Sequence, residues 1–531
     1  MDRPPRQVMA EKRTPPPSLW RKVPIDPGYD RWLTYRVERR ILVVARTVTT
    51  LTRLLDIRSL FDDDHRVQVA FTFDERNRAY FGAGLEEFLS SLDAVVVAWE
   101  QAVRMPFDLA VAASENDALD ELPCPVLLVP HGIGHQKYYP DSTTISGLNP
   151  DRLRGDRVHV GLSHANQLGR LEPETATRAV VIGDPCHDRM LASAHRAPHF
   201  RRVLDVGARK HVVLASTWGP QSLIGANPLL PQRLLSELPL EDYRVSLVLH
   251  PGVWSAHSPH QVRANLATAM RAGLTVIPPQ HGWQAAILAA DVVIADCGSM
   301  PLYATAAQVP VLLGSPVADT VVPGSPLANL IDAAPRLDGS PLPDQLAAAI
   351  AAGPIADVAE QAVEYPGKCA EVLRPLLYDL LGLPAPAWPA VFPPVADPTP
   401  ERQPVAAFRV GVTADGDALT VTRFPAAIPG PPMRGQHVVA HAELATLSEL
   451  EGADVVYREA AADFASWARE TARHRPHARL LAEVTPGLCR VWTDGSVTEL
   501  TAAPGEDPLL LASQAHWRAV RRLPLTADQR P

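Results

Sequence analysis

The chain has 531 residues, more than a single hydrophobic core organises, which predicts two or three domains. Its composition, 46% apolar and 21% charged, is that of a globular protein, and a net charge of −9 offers nucleic acid no electrostatic footprint. The five cysteines (Cys124, Cys186, Cys297, Cys369, Cys489) form no CxxC pair, which argues against a disulfide framework or zinc ribbon and suits a reducing cytosol.

Residues 1–40 form a basic, proline-containing segment in which Arg3, Arg6, Lys12, Arg13, Arg21, Lys22, Arg31, Arg36, Arg39 and Arg40 outnumber the acids. A solvated tail and a peripheral membrane contact are both open for it. It has no apolar h-region, and the longest apolar stretch, Ala285 to Leu313, is interrupted by Asp291 and Asp296. A cytoplasmic chain is expected.

From Ile41, short β-branched runs alternate with helical stretches. Strands are predicted at Ile41–Ala45, Val67–Phe73, Ala94–Ala98, Asp108–Ala112 and Val126–Val129, with helices at Thr47–Leu60 and Gly84–Leu92. Continuous apolar runs separated by helices predict a parallel sheet covered on both faces, a Rossmann-like domain over 41–178. A second Rossmann-like domain is predicted over 179–383, with strands at Val180–Ile182, His211–Ser216, Val245–Leu249, Leu274–Ile277, Val292–Ala295 and Val311–Leu313. Its helical segments are Leu230–Glu237, Pro259–Ala272, Trp283–Ala290, Met300–Gln308, Asp344–Ala352 and Val358–Leu381, with Lys368–Leu381 placed to return across an interdomain cleft. Residues 384–404 read as a proline-rich, semi-rigid linker, consistent with 53 prolines, about twice the usual share of roughly 5%. Residues 405–531 read as a small α+β domain of unknown role, with hairpins at Phe408–Phe424 and Leu488–Leu500 and a helix at Ala460–Arg475.

Ligands of open α/β sheets bind outside the carboxyl ends of the strands, and the informative residues fall there. Val129 leads into Pro130-His131-Gly132 and on to Lys137; Ala215 into Ser216-Thr217-Trp218-Gly219; Leu249 into His250-Pro251-Gly252; and Ala295 into Asp296-Cys297-Gly298-Ser299. Gly298 and Ser299 precede a predicted helix, where backbone N–H groups, a hydroxyl and close backbone approach suit a phosphate; Ser299 as a plain N-cap is the structural alternative. His131 and His250 have the chemistry of a base, an acid or a phosphate ligand. His135, His164, His187 and His281 are expected to be structural. Trp218 and Trp254 suit base stacking or core packing. No G-x-x-x-x-G-K-[ST], H-E-x-x-H or G-x-S-x-G occurs, and no metal-ligand spacing is present.

The motif order His131-Gly132, Gly183-Asp184-Pro185-Cys186-His187-Asp188, Ser216-Thr217-Trp218, His250-Pro251 and Asp296-Cys297-Gly298-Ser299 resembles that of the CDP-glycerol glycerophosphotransferase (teichoic-acid polymerase) family, actinobacterial members included. The resemblance covers about Ile41 to Leu381. It implies a GT-B fold and transfer of a glycosyl or polyol-phosphate group from a CDP- or UDP-linked donor, used as substrate with no bound cofactor. The acceptor it implies is a hydroxyl of a polyol, glycan or phosphopolymer. By the same resemblance His131 and His250 are catalytic, His131 as the base and His250 meeting the charge of the leaving nucleotide, and Ser216, Thr217, His250, Pro251, Asp296, Gly298 and Ser299 bind nucleotide and phosphate, supported by Gly132, Lys137, Gly183 and Trp218. Three positions depart from the family: Gly298 replaces the first serine of its D-Y-S-S, Tyr303 replaces a following aspartate, and Cys186 or His187 replaces an arginine. A catalytically degenerate scaffold that senses nucleotide or assembles with a partner is therefore the alternative.

Overall fold

The computed structural model describes residues 23, 25, 30–77, 79, 82–316 and 319–525. Arg3, Arg6, Lys12, Arg13, Arg21 and Lys22 lie outside them. Further along the same segment, Arg39 and Arg40 open a strand: Arg39 Nε donates to Leu381 O at 2.6 Å, and the Arg40 backbone N–H donates to Asp108 at 2.7 Å.

The first half is a six-stranded sheet of β1 (Arg39–Val44), β2 (Val67–Thr72), β3 (Leu109–Ala112), β4 (Val126–Leu128), β5 (Val158–Leu162) and β6 (Ala179–Val181). Its order is β2-β1-β3-β4-β5-β6, parallel throughout. Alternation along β1 explains why both faces are covered. Ile41 and Val43 enter one apolar core while Leu42 and Val44 enter another. The second half comprises β7 (Lys210–Ser216), β8 (Tyr243–Leu249), β9 (Thr275–Ile277), β10 (Val292–Ala295) and β11 (Val311–Leu313), in the order β11-β10-β7-β8-β9, again all parallel. Val213 and Ala215 of β7 face one core, Val212 and Leu214 the other. Both orders are doubly wound. The strand order reverses between β1 and β3 in the first sheet and between β7 and β10 in the second, and at such reversals the connections leave a crevice for ligands.

Four expectations are corrected. Ala94–Ala98 makes only a one-residue bridge, Val96 to Phe71, because the helix Trp99–Ala102 begins immediately after it. Val180–Ile182 was expected to open the second half; instead β6 pairs with β5 and closes the first sheet, so the crossover follows at Gly183. Val358–Leu381 splits into helices Ala356–Ala362 and Cys369–Leu381 around Pro366 and Gly367, whose φ of +80° no continuous helix accommodates. The second of these does return across the molecule: Cys369, Leu373, Leu377 and Tyr378 are buried in the first-half core. Finally, residues 384–404 are a strap rather than a spacer. Val395 is buried in a second-half core, and Glu401 exchanges two 2.8 Å backbone hydrogen bonds with Val276 on β9.

The C-terminal unit is a seven-stranded mixed sheet of β12 (Ala407–Asp415), β13 (Ala418–Pro425), β14 (His437–His441), β15 (Val455–Glu459), β16 (Leu480–Thr485), β17 (Leu488–Thr493) and β18 (Ser496–Thr501), ordered β13-β12-β14-β15-β16-β17-β18. β14, β15 and β16 run parallel at its centre, with antiparallel hairpins on either side. It docks through Arg423, whose guanidinium meets Glu241 at 2.5 Å and Asp507 at 2.7 Å, and Leu240 donates to Arg423 O at 3.0 Å. Leu240 and Glu241 precede β8, so this contact lies at the amino ends of the second-half strands.

Three buried side chains tie the halves together. Arg53, on the first-half helix Val48–Arg58, donates to Asp184 at 2.9 Å and to the Tyr303 hydroxyl; that hydroxyl donates to the other Asp184 oxygen at 3.0 Å. Tyr303 lies on the second-half helix Met300–Ala306, and all three residues are buried. Burial opposes the Arg53 charge, but Asp184 and its neighbours hold its pKa above the ordinary value. Arg189 also pairs with Asp56 on the same first-half helix. Removing one member strands the charge of another, so Arg53→Ala should cost about 3–5 kcal/mol in urea unfolding. Tyr303→Phe, which removes only the hydroxyl, should cost about 1–3 kcal/mol.

Candidate functional site

The loops after β4, β7, β8 and β10 meet between the halves. A Cβ built on Gly132 would lie 2.6 Å from Ser299 Oγ, so the absence of a side chain there lets the two loops touch. Beyond it the chain stays against the second half: Tyr138 donates to Thr320 O at 2.7 Å, Val322 donates to Gln136 O at 3.0 Å, and Lys137 bridges Val321. Ile133 is buried in a second-half core.

At the reversal point of the second sheet, Asp296 is buried and its Oδ2 accepts from the Thr217 N–H (2.7 Å), the Thr217 hydroxyl (2.9 Å) and the Leu223 N–H (2.9 Å). Ser216 is also buried; its hydroxyl accepts from Ile224 N at 3.1 Å and donates to Thr217 O at 3.2 Å. These two residues, expected to touch phosphate, shape the 217–224 loop instead. Burial pushes the Asp296 carboxyl up, against the pull of its Leu223 and Thr217 donors. Gly298 packs on Thr217, where an added Cβ would come within 2.6 Å of Cγ2. Ser299 occupies the N-cap position of Met300–Ala306, but its side chain makes no capping bond. That helix is seven residues long with Pro301 in its first turn, so one backbone donor is missing and the hydroxyl is the more usable group. Lys137 is half-buried; burial lowers its pKa while the Asp296 charge raises it.

The two histidines adopt opposite tautomers. His131 Nδ1 lies 3.1 Å from Ala113 O, a carbonyl that can only accept, so Nδ1 carries the hydrogen and Nε2 the lone pair. His250 Nδ1 accepts from the Gly252 N–H at 3.0 Å, capping the helix Pro251–His257, so its hydrogen is on Nε2. His131 is exposed as a residue. His250 is half-buried. Burial holds the His131 pKa below its usual value, with Arg53 adding to the effect. Burial, then the charges of His131 and Lys137, push His250 down to about 4.

Other candidates lie elsewhere. Gly183, at φ +76°, packs on Glu364 O and Cys369 at the crossover, away from the strand-end loops. Trp218 is 46% exposed on its loop, and Pro251 begins the helix after His250. His135 is buried on Ser146 O, His164 pairs with Glu364 and His281 with Thr399. Trp254 packs in a core. Tyr303, at the aspartate position of the resembled family, is locked to Arg53 and Asp184. Among the described residues no group of three or more His, Cys, Asp or Glu side chains could hold a metal ion.

Sequence reasoning missed a second part of the cleft. Arg46, Asp74 and Asp117, which follow β1, β2 and β3, line a cavity of about 460 Å³ closed on one side by Ser255 of the second half. The same strand-end rule points to them, but their connections carry no histidine or Gly-Ser pair.

No protein-family model and no curated protein sequence matches the chain. Among solved structures, the wall teichoic acid polymerase TagF is similar at a TM-score of 0.41 and 13% identity, over 65% of this chain and 89% of that one. A putative UDP-N-acetylglucosamine 2-epimerase from Listeria monocytogenes is similar at 0.42 and 13%, over 66% and 99%. The MnaA–UDP structure from S. aureus is similar at 0.39 and 12%, over 67% and 100%.

The tautomers are directly measurable. Nitrogen-resolved histidine NMR near neutral pH should find His131 protonated at Nδ1 and His250 at Nε2, with His250 neutral down to about pH 4. Titration of His250 near the ordinary value of about 6.5 would contradict this geometry.

Proposed function

We propose that the chain transfers a glycosyl or polyol-phosphate group from a CDP- or UDP-linked donor to an acceptor hydroxyl in the cleft between its halves. The observation that supports this most is the pairing of opposite histidine tautomers beside the Gly132–Ser299 contact. His131, neutral with its lone pair on Nε2, takes the proton of the acceptor hydroxyl. The acceptor oxygen forms a bond to the transferred group as the bond from that group to the nucleotide phosphate breaks. The leaving phosphate gains negative charge, which the Nε2–H of His250, the hydroxyl of Ser299 and the Lys137 ammonium stabilise. Asp296 acts at one remove by holding Thr217 in place.

One observation favours nucleotide binding without turnover: the family's aspartate position is filled by Tyr303, which is committed to the clamp between the halves. The two readings part on mutation. For a transferase, His131→Ala should lower turnover about 10²–10⁴-fold with nucleotide affinity nearly unchanged, while His250→Ala should weaken both. Thermal-shift measurements with CDP, UDP, GDP and ADP come first: a bound nucleotide at a hundred times its Kd stabilises by about 2.7 kcal/mol. No shift with any of them would remove both readings.

A further inference from the structure

The two faces of the C-terminal sheet are covered differently. On one, Val455 and Tyr457 of β15 pack with the helix Leu509–Val520, and Leu240 of the second half joins that core. On the other, Ala440 and Val456 pack under two shorter helices, Leu447–Glu451 and Phe464–His474. These leave a groove of about 350 Å³ floored by Leu450, Val456 and Trp467. Trp467, Glu470, Thr471 and His474 recur at the spacing of one helical face, and that face lines the groove. The Trp467 ring is held from two sides, with the Arg458 guanidinium 4.6 Å and the Phe464 ring 5.9 Å from its centroid.

Two large apolar side chains project beside this groove: Leu444 is 55% exposed and Leu447 62%. Leu444 directly follows the lining residue Glu443, and Leu447 stands one turn before Leu450 on the same helix. One surface therefore carries apolar knobs next to an apolar hole. Its rim also carries both signs of charge, Glu443 and Glu470 against Arg475. A two-fold contact requires a patch that complements itself, because the same residues come from both partners. Here the knob matches the hole and the acids match the base within a single patch.

We propose that this face binds a second copy of the chain, forming a two-fold dimer in which Leu444 and Leu447 of each protomer enter the other's groove against Trp467. A fixed tryptophan at the floor of a pocket, ringed by polar groups that exclude water, is the arrangement that concentrates binding energy at protein interfaces. The second half docks on the opposite face of the sheet, so nothing of the transfer reading enters this inference.

Sedimentation velocity of the full, nucleotide-free chain at about 1–100 μM should show a reversible monomer–dimer equilibrium. Leu447→Asp, at an exposed position where folding is not at stake, should raise the dimer dissociation constant about thirtyfold or more. Thr471→Arg, which fills the groove from its wall, should do the same. Val497→Asp puts the same charge on another exposed apolar residue of this unit, 45% exposed on the edge strand β18, and should leave the equilibrium unchanged. Thermal unfolding of each variant checks that it is folded. A parent chain that stays monomeric or forms a larger oligomer, undiminished dimerisation in folded Leu447→Asp or Thr471→Arg, or dissociation by Val497→Asp would overturn the proposal.

Discussion

The architecture depends on the buried contact of Arg53, Asp184 and Tyr303. Asp184 serves three groups at once: it accepts from the guanidinium of Arg53, from the hydroxyl of Tyr303, and, as the N-cap of the helix Pro185–Ser193, from the His187 N–H at 2.8 Å. The residue before it, Gly183, has a positive φ and stands so close to Glu364 O that an added Cβ would come within 2.8 Å. The chain therefore changes sheets at a point fixed by backbone conformation and by charge. Arginine suits the place because its planar fork reaches two acceptors in set directions, which a lysine does not. Ion pairs this deep add little net stability, since desolvation offsets most of their attraction, yet breaking one exposes the whole penalty. Its geometric effect lies one turn away: Ser299 immediately precedes the helix that carries Tyr303, and with that helix held, Ser299 meets Gly132.

Much of this was legible in the sequence. Runs such as Ile41–Val44, Val245–Leu249 and Val292–Ala295 are apolar on both faces, and in the structure each lies inside a covered parallel sheet. β5 was not legible because His159 and Gly161 interrupt its apolar pattern. A three-residue strand such as β6 carries no information about which sheet accepts it. The prolines of 384–404 mark the segment but not its attachment, which depends on Val395 and on the edge of β9. At the site, the four strand ends could be read from their polar and glycine residues. The inward commitment of Ser216 and Asp296, and the opposite tautomers of two similar histidines, could not, because each is decided by a partner distant in sequence. Tyr303 reads in isolation as the loss of an acid; in place, it is half of a clamp.

The C-terminal sheet stands apart from this logic. Its two hairpins follow from alternating patterns and Gly-bearing turns, whereas its central parallel strands β14, β15 and β16 pair with segments distant in sequence and are not legible. Its anchor, Arg423 between Glu241 and Asp507, lies at the amino ends of the second-half strands, opposite the loops that carry His250 and Ser299. The cleft is complete without it.

The central claim is that a nucleotide diphosphate lies between the halves at the reversal point of the second sheet. A crystal structure of the chain soaked with CDP or UDP tests this most directly. The account predicts diphosphate oxygens within hydrogen-bonding distance of Ser299 and His250 Nε2, with His131 facing them across the cleft. A nucleotide bound elsewhere, such as on the C-terminal sheet, or a cleft left empty at saturating nucleotide, would contradict it.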